Sequence, residues 1–482
     1  MFYKILNKEN FLVYLFAFIF ITINTILIAN EVFIAIIIPF ALVIALLAFL
    51  SLDKLFYIAV FFTPLSLSIS YLFDDFGVNL FLPSEPLLIG ISIIYILKVL
   101  IEKKIEKKLI LHPVSISIYF YVFWLIITTI TSSMPIVSIK FLISKLWFII
   151  PVFFMGTQIF ENKSKMKTFV WAYLISLLIV ISYTTIRHIT IGFLDMQTAH
   201  FVMQPFYNDH TAYGAILALV IPLVIGFLFK VNYKKSIKIF IAIILLILFV
   251  ALVLSYSRAA WISLLGALGI WIVVKLKIKF SILFFTFCIL VALFFTFRFE
   301  IIDKLEKNKQ DSSEQLSEQV KSISNIATDA SNLERLNRWN SAFKMFHERP
   351  FFGWGPGTYM FQYAPFQKAD DRTIISTDFG TRGNAHSEYI GPLAEAGVLG
   401  TLTFILIIVT TIFTAIKVHR KTNDKELSML SLAAMLGLIT YYVHGLLNNF
   451  LDTDKLSIPF WGLMAIIVAI DVFHNQTYKK QN

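Results

Sequence analysis

Residues 237–255 read IKIFIAIILLILFVALVLS, and after Tyr256 and Ser257 a second apolar run, RAAWISLLGALGIWIVVK, occupies residues 258–275. A helix needs about 20 mainly apolar residues to cross the ~30 Å hydrocarbon core of a bilayer. Both runs have nearly that length, and a very short connection separates them. This stretch therefore predicts two membrane-spanning helices joined by a tight turn that ends at Arg258.

The same apolar pattern recurs along the whole chain. Of its 482 residues, 58% are hydrophobic and 15% are charged, and the mean hydropathy is +0.78. This composition is typical of a polytopic membrane protein and excludes an ordinary soluble one. We predict an all-α polytopic membrane protein with about 12–14 transmembrane helices and one large outer loop containing short helices. The predicted spans are 11–29, 32–51, 55–72, 84–101, 114–132, 142–160, 167–187, 211–229, 237–255, 258–275, 279–298, 389–416, 428–447 and 457–474.

The positive charge of the chain indicates its orientation in the membrane rather than a nucleic-acid partner. The net charge is +11, and most lysines and arginines fall on one side of the predicted bilayer. Cytoplasmic loops carry such an excess in membrane proteins. We therefore predict cytoplasmic N- and C-termini and an outer location for residues 299–388. The cytoplasmic group includes Lys103, Lys104, Lys107, Lys108, Lys234, Lys235, Arg420 and Lys421, whereas the short outer loops hold Lys140, Arg187, Arg258 and Lys455.

The predicted spans divide the chain into four regions. They are the N-terminal transmembrane helices 1–200, the central transmembrane helices 201–298 with the Arg258 turn, the loop 299–388 and the C-terminal transmembrane helices 389–482. Within the loop, the polar residues 303–330 predict a mobile or weakly helical segment. A capping-box pattern, Ser331-Asn332-Leu333-Glu334, then predicts an amphipathic helix that lies on the membrane surface or packs on the bundle. Its apolar stripe consists of Leu333, Leu336, Trp339, Phe343 and Phe346.

A glycine-rich turn follows this helix after Pro350. Gly353, Gly355 and Gly357 occur within five residues of one another. Because glycine has no Cβ, this spacing predicts a fixed irregular loop in which backbones approach closely.

Arginines and a histidine are predicted to share the outer side with this turn. Arg258 begins a span, Arg335 and Arg338 lie on one face of the loop helix, and His386 lies where the loop re-enters the membrane. Guanidinium groups bind phosphate oxygens in a fork, and a histidine with its ordinary pKa of ~6.5 can take a proton from a hydroxyl. The set predicts an anionic ligand and a proton transfer. Since these residues include no carboxylate cluster, the sequence requires neither a metal nor another cofactor.

Each of these residues also has a structural interpretation. Arg258 could extend towards lipid headgroups, Arg335 or Arg338 could be solvated, and His386 could cap a helix. Glu395 could cap or hydrogen-bond the motif rather than react. Interface or lipid-facing positions are equally open for His188, His210, Lys140 and Lys145. The single cysteine, Cys288, is interpreted as a buried apolar residue, and it excludes an internal disulfide.

The order of these motifs resembles that of the O-antigen ligase/polymerase superfamily of membrane glycan transferases. Its ligases carry a His-[Asn/Ser/Gln]-x9-Gly-x-x-[Gly/Thr/Tyr] motif at the end of a large periplasmic loop, which is similar to His386-Ser387, nine residues, then Gly397-Val398-Leu399-Gly400. The family's Arg-x-x-x-Trp helix, followed by a proline and a Gly-x-Gly-x-Gly turn, looks like Arg335, Trp339, Pro350 and the three glycines. Its Ser-Arg-x-x-Trp element looks like Ser257-Arg258-Ala259-Ala260-Trp261. The resemblance covers roughly residues 205–450.

This resemblance implies an enzyme of lipopolysaccharide biosynthesis in the bacterial inner membrane. It implies transfer of a glycan from a polyprenyl diphosphate carrier, such as undecaprenyl diphosphate, to a sugar hydroxyl of lipid A–core at the periplasmic face, inverting and independent of metal. His386 would activate the acceptor hydroxyl or orient the donor, and Arg258, Arg335 and Arg338 would bind the diphosphate. Supporting roles would fall to Ser387, Glu395, Gly353, Gly355, Gly357 and His210. The expected partners are the lipid-linked donor, lipid A–core or another glycan acceptor, and membrane lipids.

Three other functions remain open. An O-antigen or exopolysaccharide polymerase is expected to carry a similar loop. A protein O-oligosaccharyltransferase is expected to have a dedicated C-terminal region, whereas this sequence ends soon after its last predicted span. A transporter is expected to place ionisable residues at the membrane midplane, whereas the polar residues here concentrate at the outer mouth. The ligase form of the histidine motif favours a ligase.

Overall fold

The structure, a computed structural model, describes residues 8–29, 37–72, 80–229, 233–278, 330–367 and 383–475, together with isolated positions between 285 and 297. We number its long helices in chain order. They are α1 Lys8–Ala29, α2 Ile37–Leu50, α3 Leu52–Phe62, α4 Ser84–Glu102, α5 Pro113–Ile130, α6 Pro135–Ile159, α7 Lys163–Gly192, α8 His210–Leu228, α9 Lys235–Leu254, α10 Arg258–Leu276, α11 Ala330–Glu348, α12 Ile390–Lys421, α13 Lys425–His444 and α14 Asp454–His474. Helices α6 and α14 include π-helical segments at Ile149–Met155 and Ile470–His474. Shorter helices occupy Ile69–Leu72, Lys107–Ile110, Met196–Ala199, Tyr359–Gln362 and Ala364–Phe366, and the strands Leu67–Ser68 and Phe81–Leu82 pair antiparallel.

Ten of the described helices, α4 to α10 and α12 to α14, are long and apolar enough to cross a membrane. They confirm the predicted spans between residues 84 and 275 and between residues 389 and 474. The chain is thus an all-α polytopic membrane protein. The predicted span 279–298, apart from isolated positions, and the predicted polar segment 303–330, apart from its last residue, lie outside the described residues.

The first 58 residues form a compact unit of their own. Helix α1 has 22 residues and α2 has 14, and they coincide with the predicted spans 11–29 and 32–51. Residues 32–36 of the second span lie outside the described part of the chain. All the residues of the candidate site belong to the other unit, residues 59–482.

The predicted span 55–72 is wrong as a single helix. Helix α3 ends at Phe62, and the chain then turns into the strand Leu67–Ser68. Pro64 explains the end of the helix, because proline lacks an amide hydrogen and disfavours helical geometry in the residue before it. The carbonyl groups of Thr63 and Ser66 each accept a hydrogen bond of 2.7 Å from Lys455 Nζ. The buried ammonium of α14 therefore holds this turn in place.

Three helices form the centre of the larger unit. Helix α14 is buried over almost its whole length, and α8 and α13 over most of theirs. A methyl group at Gly437 of α13 would lie 2.6 Å from the Leu219 carbonyl oxygen of α8. Small residues allow such close approach in membranes, where lipid removes the usual hydrophobic drive for helices to associate.

The loop helix α11 does not bury its predicted apolar stripe. Phe343 of that stripe is 41% exposed, and Trp339 and Phe346 are half-buried. The buried face consists of Glu334, Asn337, Arg338, Ser341, Ala342 and Met345. Polar side chains can occupy a buried face when they bond to each other, and here Arg338 Nε donates to Glu334 Oε1 at 2.7 Å. Periodicity of apolar residues could not reveal this pair.

The Lys455 contact leads to a stability prediction. Lys455→Met is expected to lower the free energy of unfolding by about 3–5 kcal/mol, because the carbonyl groups of residues 63–66 stay buried without their donor. The measurement is the thermal unfolding temperature of the purified protein in detergent. Lys140→Met, at an exposed position of α6, is the matched control, and equal unfolding temperatures for the two variants would contradict this role for Lys455.

Candidate active site

The candidate site lies at one end of the helix bundle, where α8, α10, α12 and α14 begin and α9 and α13 end. We term this the site end. The segments that reach it include the start of α8, the turn 255–258 and helix α11. They also include residues 383–389, termed the histidine loop, and residues 445–453, termed the last turn. Residues far apart in the sequence therefore share one end of the bundle.

The histidine loop holds His386 in a left-handed backbone conformation with φ of 49°. This conformation costs a non-glycine residue about 1–2 kcal/mol, so neighbouring contacts must fix it. Asn384 Oδ1 accepts a hydrogen bond from the His386 amide at 3.1 Å. Ser387 Oγ accepts from the amides of Tyr389 and Ile390, both at 3.2 Å. Ser387 thus caps the start of α12, and the imidazole of His386 is not used for capping.

Glu388 connects the histidine loop to the last turn. Its Oε1 accepts hydrogen bonds from the Tyr441 hydroxyl at 2.5 Å and from the amides of Phe450 and Leu451 at 2.9 and 3.0 Å. Its own amide donates to the Gly445 carbonyl at 2.8 Å. Burial raises the pKa of Glu388, against the effect of the nearby Lys145 ammonium. This single carboxyl group therefore joins the end of α13, the last turn and the start of α12.

Residues 350–358, termed the glycine turn, pack against the beginning of α12. The amides of Trp354 and Gly355 donate to the carbonyls of Ala394 and Glu395 at 2.9 and 2.8 Å. Gly353 has a φ of 67°, and a Cβ at this position would overlap with the backbone of Glu395. The close backbone approach expected from the glycines occurs here, between two segments of the protein.

The other predicted supporting residues also fix the glycine turn. A Cβ at Gly355 would overlap with Ser132, and one at Gly357 would lie 3.1 Å from Phe141. Glu395 Oε1 accepts from the Tyr359 amide at 3.0 Å, at the start of the short helix Tyr359–Gln362. A carboxylate is favourable at a helix N-terminus. The structure therefore gives these residues contacts that position the turn.

Arg338 holds the histidine loop in position through a hydrogen bond to its backbone. It pairs with Glu334 at 2.7 Å, and its Nη1 donates to the Asn384 carbonyl at 2.9 Å. The guanidinium lies over the Tyr363 ring, 5.6 Å from its centroid. These contacts satisfy much of the hydrogen-bonding capacity of Arg338, so they give it a positioning role next to His386.

Arg335, one turn earlier on the same helix, lies between the last turn and Arg258. Its Nε donates to the Leu447 carbonyl at 3.2 Å. Burial and the like charge of Arg258 lower the pKa of Arg335 to about 10, and Asp209 opposes this shift. Arg335 therefore remains a cation at neutral pH. Two guanidinium groups that are close enough to repel each other create a positive region that favours an anion.

The turn before α10 fixes the position of Arg258. Tyr256 has a φ of 50°, and its hydroxyl donates to the Leu194 carbonyl at 2.6 Å. A Cβ at Gly214 of α8 would lie 2.5 Å from Ser257 Cβ, so α8 packs directly on this turn. Arg258 itself is half-buried as the first residue of α10.

His386 is uncharged at neutral pH. Burial and the positive charges of Arg338 and Arg335 lower the pKa of His386 to about 3. No hydrogen bond joins its ring to another described residue. A neutral imidazole can accept a proton from a hydroxyl, and the anion that two arginines favour would bring negative charge towards it.

The histidines and lysines with open interpretations divide into two groups. His210 lies within electrostatic reach of Arg258 and Arg335, and it stacks on His200 with ring centroids 4.2 Å apart. Lys145 instead forms an ion pair with Asp452 at 2.7 Å. The buried His188 contacts the Asp195 carbonyl through Nε2 at 3.1 Å. The structure brings His210 near Arg258 and Arg335, pairs Lys145 with the last turn at Asp452, and gives His188 a contact elsewhere.

Sequence analysis missed the contribution of the end of α13 and of the last turn. His444, at the end of α13, lies within electrostatic reach of Arg335 and His210, and Asn448 lies four residues further on. The available signal was a histidine followed by two asparagines at the outer end of a predicted span.

An Asp-x-Asp pattern at Asp452 and Asp454 was also missed. These carboxylates face different partners, because Asp452 pairs with Lys145 whereas Asp454 Oδ2 accepts hydrogen bonds from Ser66 at 2.5 Å and from Ser84. Within the described residues, no group of three or more His, Cys, Asp or Glu side chains is arranged to hold a metal ion.

These features define a polytopic membrane protein with a site of arginines and histidines where a loop meets the ends of its spans. Residues 243–405 match the family described as O-antigen ligase. The matched segment contains most of α9, all of α10 and α11, the glycine turn, the histidine loop and the first half of α12. The match covers about a third of the chain, and it supports the similarity to the O-antigen ligase superfamily that the motifs indicate.

A protein from Haemophilus influenzae that is described as uncharacterized is similar to this chain. The two are 25% identical over 260 residues, which cover 53% of this chain and 61% of the relative. The alignment therefore spans less than two thirds of the relative's length.

The packing of the glycine turn leads to a second stability prediction. Gly353→Ala is expected to lower the free energy of unfolding by about 1–3 kcal/mol, because an alanine is strained at a φ of 67° and overlaps with the backbone of α12. Thermal unfolding of the purified protein measures the effect. Gly269→Ala is the matched control, since among the described residues a methyl group there meets no atom within 4 Å beyond its own stretch of helix. If both variants unfold at the same temperature, the glycine turn does not depend on this contact.

Proposed function

We propose that the chain is a membrane glycosyltransferase of the O-antigen ligase type. It transfers a glycan from a polyprenyl diphosphate carrier to a sugar hydroxyl, with lipid A–core as the acceptor. The observation that carries the proposal is a neutral His386 beside the paired positive charges of Arg335 and Arg258, within a segment that matches the O-antigen ligase family. This set joins a proton acceptor to a binding place for an anionic leaving group.

In this reaction the acceptor hydroxyl oxygen bonds to the anomeric carbon of the donor as its proton passes to the His386 imidazole. The bond between the anomeric carbon and the diphosphate oxygen breaks, and the diphosphate leaves with the electron pair. Arg258 and Arg335 stabilise the charge that develops on this leaving group. Attack from the side opposite the diphosphate inverts the anomeric configuration.

Donor binding also prepares the base. In the free protein, burial and, to a smaller extent, the two arginines of α11 lower the pKa of His386 to about 3. The negative charge of a bound diphosphate offsets those arginines and makes the imidazole more basic. His386 then accepts a proton more readily when the donor is present than when it is absent.

An apolar groove beside α10 supports a lipid-linked donor. Its volume is about 1680 Å³, and its lining includes Leu223 of α8, Leu265 and Leu268 of α10 and Leu436 of α13. The groove extends along α10 from Lys275 to Trp261, a length of ~21 Å at about 1.5 Å per residue. Since Trp261 lies one turn from Arg258, a polyprenyl chain in this groove would bring its diphosphate to the arginines.

We place the site end at the periplasmic face of the bacterial inner membrane, with both termini in the cytoplasm. The helix ends opposite the site end carry many basic residues, and cytoplasmic loops are rich in lysine and arginine. These residues include Lys163, Lys167, Lys235, Lys275, Arg420, Lys421 and Lys425.

A polymerase that extends the same lipid-linked glycan is the second candidate. The family match is also compatible with a polymerase. In that reaction too the acceptor is a sugar hydroxyl, and it could occupy the place next to His386. A lipopolysaccharide gel of a deletion strain distinguishes the two. Loss of the whole ladder with accumulation of lipid-linked polymer means a ligase, and a core that bears a single repeat means a polymerase.

Glycan transfer in proteoliposomes tests the reaction itself. With a labelled glycan on undecaprenyl diphosphate and lipid A–core as acceptor, His386→Ala is expected to lower the rate at least about 100-fold, because the base is lost. Arg258→Lys is expected to lower it at least about 10-fold, since lysine keeps the charge but not the fork. His347→Ala, at the exposed end of α11, is the control.

Two results would contradict these assignments. Transfer at the wild-type rate by His386→Ala would exclude His386 as the base. Near-normal transfer by Arg258→Lys would leave Arg258 as a residue that extends towards lipid headgroups.

The pH dependence of transfer provides an independent test. The profile of kcat/KM reports the free enzyme, and that of kcat reports the complex with the donor. Protonated His386 cannot act as a base, so activity falls as the pH drops through its pKa. The acid limb of kcat is expected at a higher pH than that of kcat/KM, because the diphosphate raises the pKa from its free value of about 3. Coincident acid limbs would show that donor binding does not affect this group.

A further inference from the structure

Two polar side chains, one at the end of α13 and one in the last turn, are buried at the site end without partners among the described residues. His444 is 1% exposed, and neither ring nitrogen has a hydrogen-bond partner among the described residues. Asn448 is 2% exposed, and its Nδ2 likewise has none in that part of the chain. Buried polar groups are nearly always hydrogen-bonded, so two such groups, four residues apart and joined by a backbone hydrogen bond of 3.1 Å, indicate a ligand.

The last turn joins both side chains to the candidate active site. Between them, the Leu447 carbonyl accepts from Arg335 Nε at 3.2 Å. The Gly445 carbonyl accepts from the Glu388 amide at 2.8 Å and from Ser387 Oγ at 3.4 Å. His444 lies within electrostatic reach of Arg335, Asp209 and His210. The unpartnered groups therefore lie near Arg335, whereas His386 lies within electrostatic reach of both Arg338 and Arg335.

The chemistry of these groups selects an acceptor-rich ligand. A neutral imidazole has one N–H donor, and the Asn448 amide nitrogen carries two. The positive charges of Arg335 and Arg258 disfavour a further cation but favour an anion. The non-bridging oxygens of a diphosphate carry negative charge and only accept hydrogen bonds. They therefore suit both the N–H donors of His444 and Asn448 and the positive charges of the arginines.

We propose that His444 and Asn448 are additional ligands of the donor's diphosphate, next to Arg335. This inference rests on the proposed function and assigns the two histidines different tasks. His386 accepts the proton of the acceptor hydroxyl, whereas His444 donates a hydrogen bond to the leaving group. Neither His444 nor Asn448 lies within the segment that matches the O-antigen ligase family.

A packing role for His444 must be separated from a binding role. The His444 ring lies near Phe450, with centroids 5.8 Å apart, so an aromatic ring by itself could be what this position requires. His444→Phe keeps the ring and removes the donor, whereas His444→Gln keeps a donor and removes the ring. A packing role predicts that phenylalanine is tolerated, and a hydrogen-bonding role predicts that glutamine is.

The test is the binding of undecaprenyl diphosphate to the purified full-length protein in nanodiscs. His444→Phe is expected to weaken binding about 10- to 100-fold, as for a hydrogen bond to a charged group, and Asn448→Leu is expected to act in the same direction. His444→Gln is expected to restore most of the affinity. Undecaprenyl monophosphate, which offers fewer oxygens, is expected to respond less to His444→Phe. His347→Phe is the control.

Arg335→Gln distinguishes failure of this inference from failure of the proposed function. If the wild type does not bind the diphosphate, or Arg335→Gln binds it equally well, the proposed function fails and this inference with it. If Arg335→Gln loses binding while His444→Phe and Asn448→Leu retain it, only the inference is overturned. It is also overturned if His444→Gln binds as weakly as His444→Phe and both have a lowered unfolding temperature, which would mean a structural role.

Discussion

The rest of the site depends on the Glu388 carboxyl group. It receives a hydroxyl hydrogen from Tyr441 and two amide hydrogens from the last turn. In a membrane protein, such an acceptor can join the ends of neighbouring helices and fix their relative positions, which apolar contacts alone would not do. Because His386 lies two residues before it, the position of the imidazole follows from this carboxyl group. The Leu447 carbonyl, which accepts a hydrogen bond from Arg335, lies in the same last turn. The Glu388 carboxyl group therefore helps to position both His386 and Arg335.

The motif residues therefore act at two levels. In the proposed reaction His386, Arg335 and Arg258 contact the substrates, whereas Ser387, Glu395 and the glycines contact other parts of the protein. A sequence motif does not distinguish these levels, because a glycine that permits close packing and a glycine that contacts a ligand look alike. Arg338 is an intermediate case, since it lies next to His386 while its guanidinium bonds to Glu334 and Asn384.

Much of the fold could be predicted from the sequence, because a membrane requires long apolar helices. Ten spans follow directly from apolar length, and the order of three motifs indicates the family. The end of α3 was missed, since apolar content continues past Pro64 while the backbone turns towards Lys455. The buried face of α11 was missed because an ion pair, Glu334 with Arg338, takes the place of apolar residues. His444 and Asn448 were missed because the charged groups near His444, such as Arg335 and Asp209, are distant from it in the sequence, and no local pattern of residues indicates that proximity.

The location of the last turn has a consequence for the modularity of this protein. The segment that matches the family ends within α12, yet Glu388 and Arg335 bond to residues beyond it. A chimera that exchanges only residues 243–405 with a relative would separate these groups from their acceptors and donors. The unit that can be transplanted, or that can diverge as a whole between relatives, therefore extends through α13 and the last turn to the beginning of α14.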